Sequence, residues 1–359
     1  MKRIFTLFTA LALTLVLAVQ PAAAAASFPD VPKSNRFHDE INFLVDQQII
    51  SGYSNGSFQP KRNVTRGEAA IMIGRTLKLD GIKRNTKFKD VPKSHGASGY
   101  IAAATEKGII GGYPDGTFQP NKPISRGDMA IILSRGFDLQ LGSKRDFKDV
   151  GYNMKAAEAI NHMAGNYITT GYPDNTFRPN GLVTREQFAA FVARGLSPKF
   201  KQRTQMKDGY AYDLTKKYVY GQSDGNLEVT YKKVSIKLAD TPFTGFLWEF
   251  KNTGTGKVSY LTQNESDEGL MLAYPLSSGV LELAYPVKVN SKWQPELDMQ
   301  ERKTITGINK TAKTPYKTFT NSIEVTDNNG TKHYFVKGIG EVKTIAKSGK
   351  TITELKSIE

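Results

Sequence analysis

Apolar residues follow two different rhythms along this chain. Ile41, Leu44 and Val45 fall on one helical face and lead into Ile49 and Ile50. Ile101, Ala104 and Ile109-Ile110 repeat that spacing, as do Ile160, Met163 and Ile168. A second helical stretch follows each time, over Ala69–Leu79, Met129–Leu139 and Phe188–Leu196. The helical spacing stops near Leu196-Ser197-Pro198. Beyond Tyr210 apolar and polar residues alternate, as in Leu227, Val229 and Tyr231 and then Val234, Ile236 and Leu238. Phe246–Phe250, Val280–Leu283 and Ile323–Val325 read the same way, and Asn328-Asn329-Gly330 and Ser348-Gly349 supply hairpin turns. The pattern predicts a multidomain α+β chain. A helical part comes first, then a basic linker over 199–209, then an antiparallel β-domain over 210–359 built as a sandwich or a partly closed barrel.

The first 26 residues have a texture of their own. Met1-Lys2-Arg3 is a positive head, and Ile4 to Val19 is an uncharged run of 16 residues before Pro21 and the alanines Ala22–Ala26. A bilayer span needs about 20 apolar residues, so the segment reads as a secretory signal cut after Ala24, Ala25 or Ala26. The mature chain is expected to be exported, with no second apolar stretch able to hold it in a membrane.

Three motifs recur in one order. Phe28-Pro29-Asp30-Val31, Phe88-Lys89-Asp90-Val91 and Phe147-Lys148-Asp149-Val150 stand 60 and 59 residues apart. Each is followed by a glycine-tyrosine turn, at Gly52-Tyr53, Gly112-Tyr113 and Gly171-Tyr172, and each turn by Thr65-Arg66-Gly67-Glu68, Ser125-Arg126-Gly127-Asp128 or Thr184-Arg185-Glu186-Gln187. A fixed period of this size marks stacked supersecondary units. Pro114 presets φ in the turn, while Gly116 and Asn175 tolerate positive φ. Thr65 with Glu68, and Thr184 with Gln187, form capping boxes; Asp128 is a short acid for Ser125.

Capping does not explain the arginine inside each motif. A cation in the first helical turn opposes the dipole, at a cost of about 0.3–1 kcal/mol. An anion docked on the helix N-terminus would account for Arg66, Arg126 and Arg185, because free N–H groups and a guanidinium would then share one charge. An internal salt bridge is the other explanation. Asp30, Asp90 and Asp149 either cap the turn entering the first helix or accept hydroxyl bonds from a sugar. Gly52, Gly112 and Gly171 permit close backbone approach, and Tyr53, Tyr113 and Tyr172 offer flat faces to a sugar ring or to the core.

Composition narrows the chemistry. Cysteine is absent and only four histidines occur, which removes disulfides, thiolate sites and a multi-histidine metal cage. No phosphate-binding loop or nucleophile elbow is present. In the second half His333 reads as an isolated surface or packing residue, Asn264–Glu268 as a solvated acidic loop in preference to a Ca²⁺ site, Glu249 equally as a strand residue facing water or as an acid catalyst in an apolar pocket, and Trp248 and Trp293 as core in preference to sugar-stacking faces. The formal charge is +15. Lys+Arg exceed Asp+Glu by 24 to 16 over 27–199 and by 23 to 18 from Phe200 onward, so the more basic half is the repeated one, suited to a polyanion.

Taken in order, Phe-x-Asp-Val, Gly-Tyr-Pro-Asp-Gly-Thr-Phe and Thr-Arg-x-Glu resemble the S-layer homology (SLH) family in its triplicate arrangement, over about Ser27 to Ser197. The third repeat departs at Asn175 and Gln187. The resemblance implies three units, 27–82, 83–141 and 142–198, folded into a pseudo-threefold helical bundle. It implies grooves between repeats that bind a secondary cell wall polysaccharide, commonly with pyruvylated sugars, through Asp30, Asp90, Asp149, Arg66, Arg126, Arg185 and the loop glycines. The expected function is non-enzymatic anchoring of a secreted protein at the bacterial wall, with the β-domain displayed and no cofactor. The alternatives are a wall hydrolase in the β-domain or a self-assembling S-layer subunit. Nucleic-acid binding would explain the charge but neither the triplicate motif nor secretion.

Overall fold

The helices appear where the apolar spacing places them. In the computed structural model, which describes residues 28–140, 147–238, 241–275, 277, 279–296 and 300–359, each repeat holds an opening and a closing helix. These are α1 (His38–Asp46) and α2 (Arg66–Thr76), α3 (Ser98–Glu106) and α4 (Arg126–Gly136), and α5 (Ala157–Gly165) and α6 (Arg185–Leu196). The expected leader lies outside the described residues. Thr65 and Thr184 close full capping boxes, whereas Ser125 accepts from Asp128 N without a reciprocal bond. Those caps start the closing helices three residues ahead of their first apolar position.

No single repeat can bury its own apolar face, and the three solve this as a ring. α2 packs on α3, α4 on α5 and α6 on α1, so the closing helix of each repeat meets the opening helix of the next. Val64, Ile124 and Val183 sit on the axis without solvent exposure. Their backbones bond in a cycle: Val64 N to Val183 O (2.9 Å), Ile124 N to Val64 O (2.9 Å) and Val183 N to Ile124 O (3.2 Å). One hydrophobic core runs from Phe28 to Phe200.

Residues 217–358 form twelve strands: β1 (Lys217–Gln222), β2 (Gly225–Leu238), β3 (Thr241–Asn252), β4 (Val258–Ser266), β5 (Gly269–Ala273), β6 (Gly279–Ala284), β7 (Lys292–Trp293), β8 (Lys303–Lys313), β9 (Thr318–Asp327), β10 (Lys332–Val336), β11 (Gly340–Ile345) and β12 (Thr351–Ile358). Their order is β6-β5-β4-β3-β2-β1-β12-β11-β10-β9-β8-β7, every pair antiparallel. The first and last strands pair with each other, so two meanders curl toward one seam. There Trp293 Nε1 donates to Leu281 O (2.8 Å) and Leu281 N to Pro295 O (3.0 Å). The sheet is a nearly closed barrel, and the sandwich alternative falls away. The two alternating runs read along 227–238 are one strand, β2, paired with β3 over twelve positions.

The stretch expected to be a basic linker is packed structure. α7 (Pro198–Lys201) and a 3-10 turn (Gln202–Thr204) continue from α6. Lys201 is fully buried, its Nζ donating to Asn166 O at 2.7 Å beside the Phe246 ring. Further on, Tyr210 N and Ala211 N donate to the Glu265 carboxylate on β4, and Gly338 N, between β10 and β11, donates to Gly209 O. This segment thereby ties together strands from both arms of the sheet. The acidic loop expected at Asn264–Glu268 is the end of β4 and its turn, with Glu265 holding the chain that enters the barrel.

Candidate functional site

The three motif arginines leave their own repeats. Arg66, at the start of α2, reaches repeat 2, where Nε donates to Phe118 O (2.9 Å) and Nη2 to Gly111 O (2.5 Å). Arg126 reaches repeat 3 and donates to Phe177 O (2.8 Å). Arg185 closes the ring on repeat 1, donating to Phe58 O and Ser51 O, both at 2.8 Å. Each guanidinium lies over the turn tyrosine of the receiving repeat, 4.9 Å from the ring centre at Tyr113, 4.9 Å at Tyr172 and 4.7 Å at Tyr53. Solvent exposure is 6%, 4% and 7%. Burial pulls the Arg126 and Arg185 pKa values below the ordinary arginine range.

Two expectations are corrected by this geometry. No ion pair to these arginines occurs among the described residues; carbonyl oxygens and aromatic faces meet them instead. Nor are the helix N-termini open to an anion. Arg66 N donates to Lys122 O, Gly67 N to Pro120 O and Glu68 N to Thr65 Oγ1. Arg126 N and Gly127 N donate to Gly181 O and Pro179 O, and Arg185 N and Glu186 N to Arg62 O and Pro60 O. The first N–H groups of each closing helix are taken by the next repeat, and the carbonyls of that same loop offset the misplaced cation.

The aspartates brace those loops. Asp30 accepts from Phe58 N (2.8 Å) and Gln59 N (2.7 Å), Asp90 from Phe118 N and Gln119 N (both 2.7 Å), and Asp149 from Phe177 N and Arg178 N (both 2.7 Å). Partial burial raises the Asp30 and Asp90 carboxyls, and the two loop N–H groups outweigh it, leaving both below the usual range. Loop residue Phe58 thus receives the Asp30 carboxylate on its N–H and the Arg185 guanidinium on its C=O, and Phe118 and Phe177 are held the same way. Gly52, Gly112 and Gly171 also serve this frame. A Cβ there would stand 2.4, 2.2 and 2.3 Å from Cε1 of Phe28, Phe88 and Phe147, so the space is claimed by the repeat's own phenylalanine. Tyr53, Tyr113 and Tyr172 are half-buried, each with a second basic side chain on its ring from Arg62, Lys122 or Arg178.

Open space lies beside this frame. Two adjoining clefts of about 800 and 510 Å³ sit between repeats 1 and 2. The larger is lined by Gln47, Ser51, Gly52, Arg75 and Lys78 from repeat 1 and by Tyr100 from repeat 2. Of the residues expected to touch a ligand, Gly52 reaches it directly. Arg75 and Lys78 went unnoticed in the sequence, although Arg75 recurs as Arg135 and Arg194 at the same 60- and 59-residue spacing. Each of these three arginines points Nη1 at a carbonyl near the end of its repeat's opening helix, Ile49 O, Gly108 O or Ile168 O.

In the barrel, His333 is not isolated: its Nδ1 lies 2.7 Å from Glu341 Oε1, which also accepts from Thr344 Oγ1 (2.6 Å). Burial lowers the His333 pKa, and the Glu341 carboxylate outweighs that to hold it above the ordinary value. Glu249 pairs with Lys232 at 2.8 Å. Trp248 is fully buried among Tyr212, Tyr218 and Tyr231. Among the described residues no three acidic or histidine side chains gather as a metal site, and no helix is long and apolar enough to cross a membrane.

Comparison with known proteins agrees with the repeat reading. The S-layer homology domain matches residues 27–70, 87–130 and 146–189. A cellulosome-anchoring protein of Acetivibrio thermocellus is 36% identical over 179 residues, 46% of this chain and 38% of that protein. An S-layer protein of Bacillus thuringiensis subsp. finitimus is 33% identical over 183 residues, 49% of this chain and 22% of the relative. A Bacillus anthracis protein named an uncharacterized cell wall amidase is 33% identical over 201 residues, 54% and 37% respectively. The chain spans less than two-fifths of each relative. With three family matches coinciding with three interlocked helical units, this is a secreted cell-surface protein carrying three tandem S-layer homology repeats ahead of a nearly closed β-barrel.

Proposed function

We propose that the repeats hold this protein non-covalently at the bacterial wall by binding an anionic secondary cell wall polysaccharide, with acid substituents such as pyruvyl ketals as the recognised charge. The observation that carries the reading is the cleft between repeats 1 and 2. It presents two exposed cations, Arg75 and Lys78, a tyrosine, and the exposed backbone around Ser51, with no carboxylate on its lining. Such a surface attracts an acidic sugar and can hydrogen-bond its hydroxyls. Arg185 holds Ser51 on the cleft lining and Gly52 lines it directly; Asp30, Asp90, Asp149, Arg66 and Arg126 brace the repeat loops, and Gly112, Gly171, Tyr53, Tyr113 and Tyr172 pack within them. Relatives named as an anchoring protein, S-layer proteins and a cell wall amidase all share this half of the chain, which supports anchoring as the role of the repeats.

The test is co-sedimentation of the mature chain with wall sacculi before and after the secondary polysaccharide is stripped by hydrofluoric acid. Binding should be lost with the polymer. Equal sedimentation with stripped sacculi would reject the polysaccharide as ligand.

A further inference from the structure

The three repeat junctions occupy equivalent places in the ring and are unequal in exposure. At the junction of repeats 1 and 2, Leu77 and Leu79 are half-buried and Lys107 is exposed. The matching residues at the junction of repeats 2 and 3 are Phe137, Leu139 and Asn166, and they are buried. The barrel covers them: Lys233 Nζ donates to Phe137 O (2.9 Å), Phe246 N to Asn166 Oδ1 (3.1 Å) and Thr244 N to Gln140 Oε1 (3.3 Å). At the junction of repeats 3 and 1 the segment 198–204 lies over α1. The Phe200 ring packs tilted against Phe43 with centres 5.0 Å apart, and Arg203 bonds to Glu40 (2.8 Å) and to Asp39.

Charge separates the junctions as well. Lys78 is replaced by Asp138 in repeat 2 and by Ser197 in repeat 3. The place of Tyr100 is taken by Ala159 and by Glu40. An acidic polymer would meet a carboxylate at the second junction and a buried acid with its own arginine at the third. The larger cleft of the first junction carries Arg75 and Lys78 with no carboxylate on its lining, whereas Asp80 and Glu106 line the smaller one.

We propose that this chain binds the acidic wall polysaccharide in one groove only, between repeats 1 and 2, with Arg75 and Lys78 meeting its acid groups. The barrel covers one end of the second groove, leaving Gly108, Gly111 and Arg135 exposed but with Asp138 in the place of Lys78, and the 198–204 segment lies over the third. The inference rests on the anchoring reading above and adds a valency and an address to it. A single groove makes the protein a monovalent ligand of the wall, without the avidity that several working grooves would confer.

Calorimetric titration of the full mature chain with short fragments of the polysaccharide released from sacculi by hydrofluoric acid tests it. One site per chain is expected, with affinity lowered at least tenfold in the double variant Arg75→Gln, Lys78→Glu and changed less than twofold in Arg135→Gln. All three positions are exposed, and unchanged melting curves show that the variants remain folded. Two or three sites per chain would overturn the proposal, as would equal losses in the repeat 1 and repeat 2 variants or full affinity in the double variant. If the wild-type chain binds no fragment at all, the anchoring reading itself fails and this proposal falls with it.

Discussion

Replacing Arg185 by alanine asks whether the motif arginine is a strut or a ligand contact. Its guanidinium links repeat 3 to repeat 1, donating to Phe58 O and Ser51 O at 2.8 Å and lying 4.7 and 4.5 Å from the Tyr53 and Phe58 ring centres. Hydrogen bonds from a charged donor contribute roughly 1.5–3 kcal/mol each, and stacking over an aromatic ring adds about 0.5–2 kcal/mol. Against this stands the recovered desolvation of a nearly buried cation, so a net loss of about 3 kcal/mol is expected. For a cooperative unit of this size each kcal/mol lowers Tm by about 2–4 °C, giving a drop of about 6–12 °C in the helical transition. The assay is calorimetry of the mature chain with helix content followed by circular dichroism, alongside sacculus sedimentation at a temperature where the variant is folded. Wall binding should then be largely retained. A variant that melts like the wild type yet no longer sediments with sacculi would refute the strut reading and make Arg185 a direct ligand contact.

Gly112→Ala places a methyl 2.2 Å from Phe88 Cε1 and 2.5 Å from Thr117 O, so urea titration should show a loss of about 1–3 kcal/mol from overpacking; an unchanged midpoint would mean that the loop can move aside. The His333–Glu341 pair predicts a pH dependence of barrel stability. The raised His333 pKa contributes stability that is full below its unfolded value of about 6.5 and fades as pH rises through the folded value. The lowered Glu341 pKa contributes above its unfolded value and is lost in acid. Barrel melting followed by near-ultraviolet dichroism should therefore fall between pH 6 and 8 in the wild type and lie flat there in His333→Gln; equal slopes would remove the pair from the explanation.

Much of the helical half is local physics and so was readable. Capping boxes, turn residues with positive φ such as Gly116 and Asn175, and a 3.6-residue apolar spacing each act within a few residues. Repetition then shows that three equal units must share one core. The site was less legible, because Arg66, Asp30 and Gly52 form a motif that reads equally as a ligand trap or as scaffolding. Which reading holds depends on where the next repeat places Phe118 O and Lys122 O, 52 and 56 residues further along. The linker was misread for a related reason: Lys201 and Arg203 look like solvated basic residues until Asn166, Phe246 and Glu40 are brought beside them.

The order of residues alone set the three units, their caps and turns, the change from helix to strand near residue 200 and the excess of positive charge. These follow from short-range sterics, hydrogen bonding and composition. Ring closure of the repeats, closure of the barrel through β1 and β12, and the covering of two junctions were decided only in three dimensions. Such contacts join residues from about fifty to well over a hundred positions apart, and nothing within a few residues distinguishes an arginine that meets a carbonyl from one left facing an acidic sugar.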